Sequence, residues 1–294
     1  MTTRAHALGL LGAALTLPAC GAHGDATAVG SKNFTEALLL GELYAQLIEA
    51  GGHAVRRRLS LGGTDIAMAA LQRGEIDLYP EYTGTALLVV LKAPLQGDAA
   101  RTYGFVKTEY ERRFACTWLD PAPMNNTQAL ATTRAIAQRF GLRTLSDVAS
   151  KAPQLRLGAV PEFVKRPDGL PGLQRAYGGY GFKQIRLMDF GLKYQALLSG
   201  NVDIVVAFGT DGAIVADDLV VMDDDKHFFP PYQVAPVVRD AVLQARPELA
   251  AILNRVAPLL TDPTMRTLNN QIDGAQKREP AEVARDFIKA HGLA

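Results

Sequence analysis

A chain of 294 residues with only two cysteines, Cys20 and Cys116, has no disulfide framework to lean on. It also lacks charge of one sign. Its 31 Lys and Arg stand against 30 Asp and Glu, a net charge of +1, which excludes the basic footprint of a nucleic-acid binder or of a protein adsorbed on an anionic membrane. The only basic run, Arg56-Arg57-Arg58, sits beside Val55, Leu59 and Leu61 and reads as decoration of a strand or its edge. Catalytic signatures are absent too: there is no Gly-x-Ser-x-Gly, no His-Glu-x-x-His and no Gly-x-x-x-x-Gly-Lys-Ser or Thr. The five histidines stand isolated at positions 6, 23, 53, 227 and 291, and nothing in the spacing of Cys116 and His227 supports a nucleophile with its base. The acidic run Asp223-Asp224-Asp225 lacks the alternating ligands and the Gly of a calcium loop and reads as a solvated turn. No enzyme, metal or cofactor is expected.

Hydrophobic residues make up 48% of the chain, enough for one large core or two moderate ones. At the amino terminus, Arg4 gives a sparse positive region and residues 7–17 an apolar stretch about half the length of a membrane span. Residues 1–19 therefore read as a signal peptide. Leu17-Pro18-Ala19-Cys20 is similar to the lipobox of bacterial lipoproteins, which makes Cys20 the expected lipidation site; ordinary secretion with cleavage at or near Ala19 is the alternative. Either route exports the protein, to the periplasm or the outer face of a bacterial membrane. Cys116 is then left as a single thiol, expected to be buried and inert.

What the chain does have is an internal repeat. Ala70-Leu71-Gln72-Arg73-Gly74-Glu75-Ile76-Asp77-Leu78, followed by Tyr82, matches Ala196-Leu197-Leu198-Ser199-Gly200-Asn201-Val202-Asp203-Ile204, followed by Phe208, about 126 residues later. Each copy reads as a helix end, a Gly stop, a short apolar strand and an aromatic residue five positions beyond the Asp. Strands are expected at residues 28–30, 55–61, 76–79, 155–160, 185–188 and 202–207, alternating with helices, the signature of an α/β fold. Asn33-Phe34-Thr35-Glu36 has the spacing of a helix cap with its reciprocal Glu, and Lys32 falls where a strand meets a helix amino terminus, a favourable place for an anion. Proline-rich crossings are expected near residues 120–123 and 226–231. They divide the chain into one lobe of residues 28–121 plus 227–294 and a second of 122–226. Ligands of open α/β sheets bind beyond the carboxyl ends of strands, so matched aromatics at Tyr82 and Phe208 imply a cleft between the lobes.

Gly30-Ser31-Lys32-Asn33-Phe34-Thr35-Glu36, Tyr79-Pro80-Glu81-Tyr82-Thr83-Gly84-Thr85, Asn125-Asn126-Thr127 and Phe228-Phe229-Pro230-Pro231-Tyr232 resemble, in this order, the osmoprotectant-binding subunits of ATP-binding-cassette (ABC) importers. The resemblance runs from about Ala28 almost to the carboxyl terminus. It implies a two-lobed type II periplasmic-binding-protein fold, a glycine betaine, choline or carnitine ligand held in an aromatic cage, and partner permease and ATPase subunits, with the binding protein a monomer anchored through its lipid.

By the same resemblance the cage draws on Tyr82, the residue after Asn126-Thr127, Phe208 and Tyr232. Gln128 stands where Tyr is common and Phe208 also replaces a common Tyr, which implies a three-walled box. Two explanations of Gln128 stay open: a weaker betaine site, or a site retuned to another cationic or zwitterionic solute such as ergothioneine or an arginine-like guanidinium. For the anionic end of a zwitterion, Lys32 and Thr85 are the candidates, with Asn126, Thr210 and Asp211 as neighbours. A lipid-anchored ligand sensor is a further alternative to an importer subunit.

Overall fold

The computed structural model describes residues 26–294, so the expected signal peptide and Cys20 lie outside the described residues. Two five-stranded sheets organise the chain. The first is built from β1 (Thr27–Gly30), β2 (Val55–Arg58), β3 (Leu78–Tyr82), β4 (Cys116–Trp118) and β10 (Val234–Arg239), in the order β2-β1-β3-β10-β4. The second is built from β5 (Gln128–Thr132), β6 (Arg156–Ala159), β7 (Gln184–Leu187), β8 (Ile204–Phe208) and β9 (Val220–Val221), in the order β7-β6-β8-β5-β9. In each, three strands run parallel, and the fourth pairs antiparallel beside the third and carries the fifth on its far edge. The chain has built one sheet plan twice.

The sequence repeat is the chemical reason. Gly74 and Gly200 both take a left-handed backbone, at φ +71° and +72°, which ends the Thr64–Gln72 and Lys193–Leu198 helices without a Cβ penalty. The next N–H in each copy, of Glu75 or Asn201, reaches back to the carbonyl of Ala70 or Ala196 at 2.9 Å. Asp77 then accepts the N–H of Ala28 at 2.8 Å, and Asp203 accepts that of Arg156 at 2.8 Å. Each repeated Asp thus pins the start of the parallel strand beside its own, β1 or β6, and fixes the register of the strand that ends in Tyr82 or Phe208.

Residues 119–127 carry the chain from the first sheet to the second, and residues 222–233 carry it back. The two crossings run side by side: Ala122 N donates to Val234 O at 2.8 Å and Asn126 N to Tyr232 O at 3.2 Å. One large core packs the Thr35–Ala50 helix between the first sheet and the carboxyl-terminal helices, with Leu43, Leu47, Leu253, Met265 and Phe287 among its buried members. A separate core under the second sheet gathers Leu157, Phe163, Leu173 and Val206. No described helix is long and apolar enough to cross a membrane.

Three local expectations change. β2 stops at Arg58, because Ser60 takes φ 60° and turns the chain away from the sheet. β3 and β8 start two residues later than expected and run through Tyr82 and Phe208, which are the last residues of their strands. The Asn33–Glu36 cap does not form: Phe34 occupies the cap position without a side-chain bond, Asn33 is exposed, and Glu36 is buried and bonded elsewhere. The spacing fits both arrangements, and the buried partners of Glu36 decide between them.

Candidate ligand-binding site

The carboxyl ends of the central strands of both sheets face one cavity of about 80 Å³, room for several waters or one small organic solute. Phe34 and Lys32 follow β1, Tyr82 ends β3 and Thr85 lies just beyond it. From the other sheet come Val160, Glu162, Phe163 and Arg166 after β6, Phe190 after β7, and Phe208 at the end of β8. Asn126 and Tyr232 arrive on the two crossings and Gln128 at the start of β5, with Asn33, Gly63 and Thr64 also on the lining.

Rings dominate it. Phe34 stacks on Phe190 with centroids 5.5 Å apart and on Phe208 at 6.4 Å, Phe190 meets Phe208 at 5.9 Å, and Tyr82 stands 6.1 Å from Phe34. Phe34 belongs to the first lobe, and Phe190 and Phe208 to the second, so the stack bridges the cleft. The Phe34, Phe190 and Phe208 rings form one mutual stack, with interplanar angles of 28°, 18° and 30°. Tyr232 is held against Gly84, where a Cβ would lie 2.7 Å from its ring, so the wall is seated by the absence of a side chain.

Around the rings sits a set of buried charges. Lys32 Nζ donates to Glu81 Oε1 at 2.6 Å and lies 4.8 Å over the Tyr82 ring. Burial pushes the Lys32 ammonium below its usual range, and Glu81 pulls against that shift. Arg166 makes a bidentate pair with Asp168 through Nε and Nη2, and Nη2 also donates to Thr85 Oγ1 at 3.3 Å. The Asp168 carboxylate also accepts the Tyr232 hydroxyl and Gln128 Nε2, the latter at 2.8 Å. Behind Tyr82, Glu36 accepts the Tyr82 hydroxyl at 2.7 Å, Asn126 Nδ2 at 2.6 Å and Asn269 Nδ2 at 2.9 Å. Burial raises the Glu36 carboxyl above the ordinary range, with the neighbouring Thr210, Tyr82 and Asn269 side chains working against it.

Of the nine residues singled out from the sequence, Lys32, Tyr82, Thr85, Asn126, Gln128, Phe208 and Tyr232 line the cavity, whereas Thr210 and Asp211 do not. Asp211 is a structural carboxylate: it accepts Lys193 Nζ at 2.8 Å, the Tyr194 hydroxyl and Phe208 N at 3.0 Å, and so holds Phe208 in place from behind. Thr210 is buried, and its carbonyl accepts Asn269 Nδ2 at 2.9 Å. Lys32 is no free cation, since Glu81 already pairs with it. The rings are also more than the three expected, because Phe34 and Phe190 join them and Phe163 closes the lining. Phe34 lay inside a quoted motif but read only as part of a helix cap. Arg166 lies in an irregular segment and Phe190 opens the short Phe190–Leu192 helix; the signal that could have found them is their position beyond the ends of β6 and β7.

Cys116 is buried in the first lobe, and burial pushes its thiol up to about 12, far from the range of a nucleophile. Among the described residues no group of three or more His, Cys, Asp or Glu side chains is placed to hold a metal ion.

Comparison with known proteins gives this geometry a context. The family model for the substrate-binding domain of ABC-type glycine betaine transport systems matches residues 27–290. The glycine-betaine-binding protein of Pseudomonas aeruginosa is 36% identical over 282 residues, covering 92% of this chain and 90% of that one. An ergothioneine transport permease/ergothioneine binding protein of Helicobacter pylori is 35% identical over 266 residues; that stretch is 90% of this chain and 47% of the relative, so the chain spans about half of its length. A crystal structure of a glycine betaine/carnitine/choline ABC transporter superposes with a TM-score of 0.74 at 32% identity, covering 91% of this chain and 99% of that one. The two-sheet architecture is thus the two-lobed periplasmic-binding-protein fold. With its match running almost the whole described length, the chain belongs to the family of substrate-binding domains of ABC-type glycine betaine transport systems.

Proposed function

We propose that the protein closes its two lobes, residues 28–121 with 227–294 and residues 122–226, on a small zwitterionic quaternary amine of the glycine betaine class. It then delivers the solute to permease and ATPase partners, with no bond made or broken. The observation that carries this reading is the lining itself: Phe34, Tyr82, Phe190, Phe208 and Tyr232 beside Lys32, Thr85 and Arg166. A trimethylammonium group spreads its charge over methyl surface and donates no hydrogen bond, so aromatic faces are its natural partners, each contributing about 0.5 to 2 kcal/mol. For the carboxylate, Arg166 is the stronger candidate: Nε and Nη2 are engaged, while Nη1 donates to no described residue. Calorimetric titration of residues 21–294 with glycine betaine, choline, carnitine, ergothioneine and arginine tests the reading. Binding of a methylated amine is expected; binding of arginine alone, or of nothing, contradicts it.

A second reading rests on Gln128. Its Nε2 is held by Asp168 and Tyr232, and its carbonyl oxygen accepts from no described residue, so it is free as a hydrogen-bond acceptor for an N–H that glycine betaine lacks. A ligand with ring N–H groups, such as ergothioneine, would use it, and the H. pylori relative at 35% identity carries that name. Gln128→Tyr separates the two. If Gln128 is only a missing wall, the change tightens glycine betaine; if the amide recognises the ligand, the native ligand is lost.

The protein acts outside the cytoplasm in this proposal, as a monomer, with residues 1–19 removed and Cys20 lipidated. Metabolic labelling with an alkyne fatty acid in a bacterial host is expected to mark the wild type and not Cys20→Ala; equal labelling contradicts the anchor.

A further inference from the structure

Five carboxylates and three cations lie around the rings, and two carboxylates, buried Glu36 and half-buried Glu162, are left without a cation among the described residues. Glu81 pairs with Lys32, Asp168 with Arg166, and Asp211 with Lys193. Glu36 is 3% exposed and, among the described residues, no Lys, Arg or His nitrogen lies within ion-pair distance of it. All three of its hydrogen-bond partners donate: Tyr82 Oη and Asn126 Nδ2 to Oε1, Asn269 Nδ2 to Oε2. With the Tyr82 hydroxyl and the Asn126 and Asn269 amide nitrogens turned toward its two oxygens, the arrangement favours the ionised form and works against the burial that raises the carboxyl. Half-buried Glu162 on the lining adds charge of the same sign.

A buried charge without a counter-ion is costly unless something compensates it. Resting on the proposed function, we infer that Glu36 is the counter-charge of the bound cation, acting through the Tyr82 ring that stands between them. The hydrogen bond from the Tyr82 hydroxyl to an anion enriches the ring face that lines the cavity, and the field of the carboxylate adds to it in a site shielded from water. Glu36 is therefore a specificity-determining residue that never touches the ligand: it selects for positive charge, not for methyl surface.

The test compares two solutes of one shape. Glycine betaine and 3,3-dimethylbutanoate differ in a nitrogen cation against a neutral carbon, and both carry the carboxylate. Affinities of both, measured by calorimetric competition up to millimolar concentration, are compared in the wild type and in Glu36→Gln. The expected result is about a tenfold loss for glycine betaine with the neutral isostere held within about twofold. Equal losses make Glu36 a structural residue and overturn the inference, as does an unchanged pair. If Glu36→Gln does not fold, Tyr82→Phe keeps the ring and removes its link to Glu36, and the same selective loss is expected, with a parallel loss or none counting against it. Wild-type protein that binds neither glycine betaine nor any other methylated amine overturns the proposed function and this inference together, whereas betaine binding without a selective loss overturns this inference alone.

Discussion

Tyr82 presents its ring to the cavity and its hydroxyl to Glu36, so truncating it removes one wall and strands a buried anion. Tyr82→Ala is expected to weaken binding at least tenfold, about 1.4 kcal/mol or more, and Tyr232→Ala to do the same, with thermal melts showing that both variants remain folded. Unchanged affinity in both removes the cage. Tyr82 was legible as an aromatic at a strand end, and Tyr232 through the resemblance of its Phe-Phe-Pro-Pro-Tyr motif to the family. Glu36 was legible but misread, since Asn-x-x-Glu spacing describes a helix cap as well as a carboxylate turned inward. Arg166 and Asp168 were not legible. Their pairing is local, but what places Arg166 beside Thr85 is the approach of the second lobe, which no spacing encodes.

At the scale of elements, the repeated Asp residues were visible as a pattern while their task was not. Asp203 accepts Arg156 N, Nε and Nη2 at 2.8, 2.9 and 2.7 Å, and its carboxyl is held below the ordinary range, first by the Arg156 side chain. A carboxylate with a lowered folded pKa contributes stability above its unfolded value, near 3.8, and loses it as pH falls through the lower folded value. Asp203→Asn should therefore destabilise by about 1 kcal/mol at pH 7 in urea titrations, discounted for the half-exposed Arg156, and the gap from wild type should narrow below pH 3.8. A gap independent of pH contradicts the ionic role. Gly84 makes a second prediction at this scale. A Cβ there meets the Tyr232 ring at 2.7 Å and Pro231 O at 2.9 Å, so Gly84→Ala is expected to displace the wall and weaken binding several-fold in a folded protein. Wild-type affinity in that variant contradicts the seating.

For the molecule as a whole, the proposed closure would draw on contacts between the lobes as well as on the ligand. The Asp262–Asp273 helix packs in the first core through Met265 and Leu268, yet Arg266 Nε reaches Gly209 O at 2.8 Å and Asn269 Nδ2 reaches Thr210 O at 2.9 Å, both just past Phe208 in the second lobe. Replacing Arg266 and Asn269 together with Ala should shift the ligand-free protein toward an open state, seen as a larger radius of gyration in X-ray scattering and a weaker affinity. An unchanged radius and affinity contradict the latch. The doubled sheet plan could be read from the repeat. This latch could not, because the helix displays only its own period and its contact is with a turn of the opposite lobe.

The most direct measurement is a crystal structure of residues 21–294 grown with glycine betaine. The expected result places the quaternary nitrogen within about 6 Å of the Tyr82 and Phe208 ring centroids and the carboxylate on Arg166 and Thr85. A ligand outside the ring-lined cavity, or a cavity left without it at saturating concentration, contradicts the aromatic cage.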